Sequence, residues 1–221
     1  PSGRGNKITF SPVKEYALQR EIPVYQPAKI RTVDAVDDFR AHSADVAVVV
    51  AYGRILPETF LTAFPQGAIN VHFSLLPKYR GAAPVNWAIV NGEAATGVTT
   101  MQMDVGLDTG DMLLQCETAI GSDENAIELM ERLSAIGAEL LSETLNNLKN
   151  LQPKKQDESA ATFAPIMKRE DGLIDWRMSA RDIANRVRGF QPFPTSFTFI
   201  GEAKLTIWQA TPGEPGPNIT P

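Results

Sequence analysis

The sequence predicts an α/β fold: an open, mostly parallel sheet with helices on both faces, followed by the beginning of a smaller β-rich domain. Three observations lead there. Residues 45–52 and 67–72 are apolar, β-branched runs without polar alternation, as strands buried on both faces require. Segments with helical spacing and capping residues separate them, so α and β elements alternate. After a polar stretch at 152–161 the pattern changes to one helix and two alternating runs.

Taken in order, residues 11–21 form a short helix capped by Ser11 with Pro12 in its first turn, a position that suits proline's preset φ and missing N–H. An extended stretch, 22–27, precedes a helix over 32–42. Residues 57–64 give another short helix before the strand at 67–72. The helix over 82–91 has Pro84 near its start and Gly92 where a left-handed cap belongs. Two strand runs, 98–103 and 112–116, flank the glycine-bearing loop 104–110, a good place for chemistry. Ser122 is expected to cap the longest helix, with Asp123 and Glu124 in its first turn and Leu129, Leu133, Ile136 and Leu140 on its packing face. The polar run then marks a crossing, dividing the chain into 1–150, 151–166 and 167–221. Beyond it Ser179 caps a helix, and the runs 196–200 and 204–208 form a hairpin around Gly201 and Glu202.

At 221 residues and 43% hydrophobic, the chain can bury one full core and begin another. A net charge of −5 and a pI of about 5.1 exclude a global attraction to nucleic acid, so any RNA contact has to be local. Cys116 is the single cysteine, which rules out an internal disulfide, and with two histidines it cannot complete a structural zinc site. No metal is therefore expected, and a reducing cytoplasm suits the composition. The longest apolar run, 46–52, falls well short of the roughly 20 residues of a membrane-spanning helix. With no basic-then-apolar leader at the start, a soluble protein without a membrane partner is expected. The opening Pro-Ser-Gly-Arg-Gly-Asn-Lys reads as the middle of a polar loop, so something is expected to precede it. It lacks the spacing and hydroxyl residue of a phosphate-binding P-loop.

Asn70 and His72 stand two apart on one strand, so both side chains leave the same face. At the C-terminal end of a strand, where open α/β sheets place their ligands, an amide and an imidazole can converge on one atom. They can equally be polar residues satisfied at a strand end. Residues 73–84 and the loop 104–110 decide between the two.

The run Asn-Val-His-Phe-Ser-Leu-Leu-Pro at 70–77, Tyr-Arg-Gly-Ala-Ala-Pro at 79–84 and Gly-Val-Thr-Thr-Met-Gln-Met-Asp-Val-Gly-Leu-Asp-Thr-Gly-Asp at 97–111 resembles the core of the folate-dependent formyltransferases. Within that family the likeness is greatest to members whose acceptor is methionyl-tRNA. It extends to the opening loop, to Val-Val-Val-Ala-Tyr-Gly at 48–53 and to Ile-Asp-Trp at 174–176, nearly the whole chain. The resemblance implies a Rossmann-like sheet with one further βαβ unit ahead of Pro1 and an OB-like barrel begun at the C-terminal end. It implies 10-formyltetrahydrofolate as donor, initiator methionyl-tRNA as acceptor, and a monomer.

The family's catalytic trio falls on Asn70, His72 and Asp108. Attack of an amine on the formyl carbon creates an oxyanion that needs donors and an ammonium that must lose a proton. Asn70 and a protonated His72 can supply the donors, with Asp108 as the acidic partner that orients His72 or passes the proton through water. The resemblance places the pterin against Tyr52, Gly53, Arg54 and Ile55 and against Asp104, Val105, Gly106 and Leu107, with Ser74, Leu75, Leu76 and Pro77 close to the carrier. It assigns Arg4 and Lys7 to the tRNA acceptor end, with a weaker basic excess from Lys168, Arg169, Arg177, Arg181, Arg186 and Arg188. Phe73 stands where the family has glycine; it either narrows the pocket or fills the opposite face of the sheet. A formyltransferase for a small amine, a formyl-folate hydrolase and an inactive binding fragment are the alternatives.

Overall fold

A computed structural model describes residues 10–213. In chain order the elements are α1 (Pro12–Gln19), α2 (Val33–Ala41), β1 (Ala47–Val49), α3 (Glu58–Leu61), β2 (Ala68–His72), β3 (Arg80–Gly81), α4 (Pro84–Val90), β4 (Ala95–Gln102), β5 (Met112–Ala119), α5 (Ala126–Asn147), β6 (Phe163–Ala164), α6 (Ala180–Gly189), β7 (Ser196–Ile200) and β8 (Ala203–Ile207). Ser11, Thr32 and Ser179 cap α1, α2 and α6, each side chain accepting a backbone N–H from three residues on.

The cap of α5 differs from expectation. Asn125, not Ser122, begins the helix: its Oδ1 accepts the N–H groups of Ile127 and Glu128, and Glu128 accepts the Asn125 N–H in return. A carboxylate three residues after the cap closes this reciprocal box, and a start at Ser122 would put Asn125 there instead. Glu124 is also needed elsewhere, holding Arg132 at 2.9 and 2.8 Å, and that pairing lowers its pKa.

The α/β architecture is as the sequence predicts. The described strands run in the order β1-β2-β4-β5, with β1 and β2 parallel and the pairs β2–β4 and β4–β5 antiparallel. The loop 103–111 is too short for a crossover, so β5 can only return beside β4. β2 lies inside the sheet, and Ala68, Ile69, Val71 and His72 are buried. β1 is shorter than expected and is not covered on both faces: Val48 and Val50 are 41% and 50% exposed. Among the described residues β1 pairs on one side only, which removes the neighbours a doubly buried strand requires.

One core cluster joins Val71, Val85, Ile89 and Val98 to Leu129 and Leu133 of α5. Gly137 permits this approach, because a Cβ there would lie 3.2 Å from Val71 and 3.3 Å from Phe73. Phe73 packs into the same cluster, so it fills the face of the sheet opposite His72.

The polar stretch after α5 is stitched down as it crosses. Lys154 and Met112 exchange backbone hydrogen bonds of 2.8 and 2.9 Å, and β6 pairs in parallel with β3. Beyond it α6 packs on α4. Asn86 Nδ2 donates to Gly189 O at 2.7 Å, and Arg188 donates to the carbonyls of Gly121 and Glu124 at 3.0 and 2.9 Å. Phe190, fully buried edge-on to Trp87, adds about 2–3 kcal/mol by burial. β7 and β8 form the expected hairpin. No helix among the described residues is long and apolar enough to cross a membrane.

Candidate active site

Asn70 and His72 share one face of β2, as their spacing requires, and register beside Met101 and Thr99 of β4. Asn70 Nδ2 donates to Val49 O at 3.0 Å, which leaves its second N–H free. Its Oδ1 is buried and has no protein partner.

His72 is buried at the end of β2. Its Nε2 lies 2.9 Å from the carbonyl oxygen of Tyr79, an acceptor that requires the proton on Nε2. The other ring nitrogen, Nδ1, faces Asp108 Oδ2 at 3.8 Å. That carboxylate is aimed by the Gly81 N–H, which donates to Oδ2 at 2.8 Å. Asp108 has a φ of 53°, so the loop carries this carboxylate on left-handed backbone.

Several of these supports were not legible in the sequence. Tyr79 also has a positive φ, 60°; its N–H donates to Thr162 Oγ1 at 2.8 Å and its hydroxyl to Glu93 at 2.8 Å. These anchors turn its carbonyl toward His72. Arg80, 2% exposed, donates to both Glu158 oxygens at 2.9 and 2.8 Å, and Gln156 lies on its other side. Glu158 thereby holds the guanidinium pKa up, and the guanidinium lowers that of Glu158. The signal available was a Tyr-Arg-Gly motif whose arginine, if buried, needs an acid, and the acids at 157 and 158 lay in what read as a crossing.

Burial, followed by the carboxylate of Glu93, pushes the Tyr79 hydroxyl from 10.0 up to about 12, against the opposing Asn91 hydrogen bond. The folded chain holds this proton more tightly than the unfolded one. The resulting stability is fully present below pH 10 and is lost as pH rises through about 12. In a phenolate-absorbance titration one of the four tyrosines is expected to ionise last, and Tyr79→Phe to remove that late step.

The residues expected around the donor fall into two groups. Ser74 and Leu76 are buried: the Ser74 hydroxyl donates to Lys78 O at 2.6 Å, and Leu76 packs with Met101 and Met112. Thr99 and Gln115 clamp the backbone of this segment through Ser74 O, Leu76 N and Leu76 O. Leu75 and Pro77 are half-buried. By contrast Tyr52, Ile55, Val105 and Leu107 are exposed, and Gly53 has a φ of 70°. Arg31 holds the first loop through Ile55 O at 3.0 Å, and Asp104 holds the second by accepting from Gly106 N and Thr109 Oγ1 at 3.0 and 2.7 Å. A cavity of about 530 Å³ opens beside Met103, Asp104 and Val105, walled by Leu61, Phe64 and Gln102. No hydrogen bond among the described residues links the loop 52–55 to 104–108.

Arg4 and Lys7 lie outside the described residues. Of the basic residues near the crossing, Arg177 pairs with Asp175, Arg186 donates to Asp171 O and Arg188 binds α5's leading loop. Lys168, Arg169 and Arg181 make no side-chain hydrogen bond among the described residues. Nor do those residues include a cluster of three metal-ligating side chains.

The family model described as formyl transferase matches residues 1–145, and that described as formyl transferase, C-terminal domain, matches 166–219. A methionyl-tRNA formyltransferase of Trichlorobacter lovleyi is 51% identical over 216 residues, covering 97% of this chain and 68% of that protein. Another, of Geobacter sulfurreducens, is 49% identical over 222 residues, covering 98% and 70%. Among solved structures, a 4-N formyltransferase from Francisella tularensis superposes with a TM-score of 0.72 at 20% identity, over 91% of this chain and 82% of that one. A sugar N-formyltransferase from a Shewanella species gives 0.70 at 20% identity, over 84% and 77%. The last two show a shared fold; the model match and the two close relatives show that the chain belongs to the formyl transferase family.

Proposed function

We propose that this site moves the formyl group of 10-formyltetrahydrofolate onto the amino group of initiator methionyl-tRNA. The amine nitrogen attacks the formyl carbon as that carbon's bond to N10 breaks, and one amine proton ends on N10 of the released tetrahydrofolate. An α-amino group with a pKa of about 7.7–8.0 is partly neutral at physiological pH, so no covalent enzyme intermediate is needed. The free Asn70 N–H donates to the developing oxyanion. His72 holds the transferable proton at Nδ1, and Asp108 stabilises the imidazolium that forms. Tyr52, Gly53, Ile55, Asp104, Val105, Gly106 and Leu107 line the donor's ring, with apolar side chains on its faces and the glycines allowing close backbone approach.

The observation that carries this proposal is the placement of Asn70 on one face of β2 with a His72 whose tautomer and acidic partner are set by backbone. The acceptor is taken from the relatives named methionyl-tRNA formyltransferase. Residues 1–150 carry the chemistry, 151–166 the crossing, and 167–221 begin an acceptor-contacting domain, with Arg4 and Lys7 contacting the tRNA end. Methionyl-tRNA is used in the cytoplasm, which is where the proposed acceptor assigns the chain. In a competition assay with labelled donor, formyl is expected on methionyl-tRNA and not on free methionine or an amino sugar. Equal labelling of the small amines would overturn the assignment of acceptor.

A further inference from the structure

The polar crossing meets the catalytic loop through one side chain. Gln156 Nε2 donates to the carbonyls of Asp108 and Gly110 at 2.8 and 2.7 Å. Its Oε1 accepts from Arg80 Nε and Nη2 at 3.0 and 2.8 Å. These partners determine which way round the amide lies. A guanidinium has donors only, so Oε1 has to face Arg80 and both N–H groups have to face the two carbonyls. Arg80 is itself buried and gripped by both oxygens of Glu158. It cannot shed its proton, and a buried guanidinium without partners is strongly disfavoured, so Glu158, Arg80 and Gln156 hold together as a unit.

That unit grips Asp108 from two directions. Gln156 binds the Asp108 carbonyl, while Gly81, adjacent to Arg80 in the chain, binds the Asp108 carboxylate. Between these grips Asp108 sits at a φ of 53°, left-handed backbone that aspartate tolerates better than most side-chain-bearing residues and that the two grips fix in place. We infer that Gln156 is a positioning residue for formyl transfer: acting through the Asp108 backbone, it keeps the carboxylate on His72 Nδ1, and Glu158 acting through Arg80 keeps Gln156 in the competent orientation. The inference rests on the role of Asp108 given above.

The test is a kinetic cycle on the full chain. Gln156→Ala and Gln156→Glu are each made alone and in an Asp108→Asn background, and kcat and KM are measured for 10-formyltetrahydrofolate and for methionyl-tRNA. Gln156→Ala is expected to lower kcat by about 100-fold, as misplacement of a catalytic group by an ångström does, with both KM values unchanged. Gln156→Glu is expected to be impaired at least as much, although a carboxylate pairs better with Arg80, because its second oxygen would face two carbonyls with no proton between them. In the Asp108→Asn background neither change is expected to lower kcat further, since both act through the missing carboxylate. A thermal melt monitors folding, and Gln156→Glu carries the same cycle if Gln156→Ala does not fold. The inference fails if the Gln156 variants lose the same factor in both backgrounds, or turn over like the parent while Asp108→Asn is crippled. If Asp108→Asn itself turns over normally, the role of Asp108 falls, and this inference with it.

Discussion

Asp108→Asn is expected to lower kcat for methionyl-tRNA formylation by about 1,000-fold, the range in which a positioned acid–base group contributes. The substitution isolates charge from shape. Asparagine is among the few residues that tolerate left-handed backbone, so the φ of 53° can persist. Its Oδ1 can still accept the Gly81 N–H, and the backbone carbonyl held by Gln156 is unaltered. What disappears is the negative charge facing His72 Nδ1. Without it the imidazolium is no longer stabilised, and the amine proton loses its relay. Donor binding, measured by fluorescence quenching or calorimetry, is expected to stay at the parent level, because Asp108 acts after the substrates are in place. Parent-like turnover would remove Asp108 from the chemistry.

Gly81→Ala is expected to damage stability and turnover together. Gly81 has a φ of 120°, a region essentially reserved for glycine, and an added Cβ would lie 2.6 Å from the carbonyl oxygen of Ala164 on the paired strand β6. That neighbour is backbone and cannot swing away. Backbone strain and overpacking together cost about 4 kcal/mol, which for a chain of this size lowers Tm by roughly 10 °C. Relief requires β3 and β6 to separate, which moves the N–H that aims Asp108 and loosens Arg80 from Glu158. A kcat loss of about 100-fold is therefore expected below the melting range. An unchanged melt with full activity would show that the β3–β6 pair does not support the site.

Some of the site was legible because it depends on short-range periodicity. The two-residue spacing of Asn70 and His72 on an apolar run already implied one shared face, and the alternation that put them there sent Phe73 to the other side. Asp108 could be named only through family likeness, because nothing local distinguishes it from Asp104 or Asp111. Its neighbours were out of reach. Gln156 lies 48 residues from Asp108, and Glu158 lies 78 from Arg80, in a stretch whose composition reads as solvated. The cap of α5 was misplaced by three residues, because Ser122, Asp123 and Glu124 look like a helix start until the reciprocal pairing of Asn125 with Glu128 is considered.

By itself, then, the sequence determined the α/β class, the helix and strand alternation and the family, and it singled out the three residues proposed to carry the chemistry. These follow from local spacing, capping and motif order. The tertiary structure decided how those residues are held: the Tyr79 carbonyl that sets the His72 tautomer, the Gly81 N–H that aims Asp108, and the crossing segment that holds Asp108 from behind. Those contacts depend on positive-φ backbone at Tyr79, Gly81 and Asp108 and on pairing between strands far apart in the chain. Neither leaves a periodic trace, since both are settled only when long-range packing closes the loop around them.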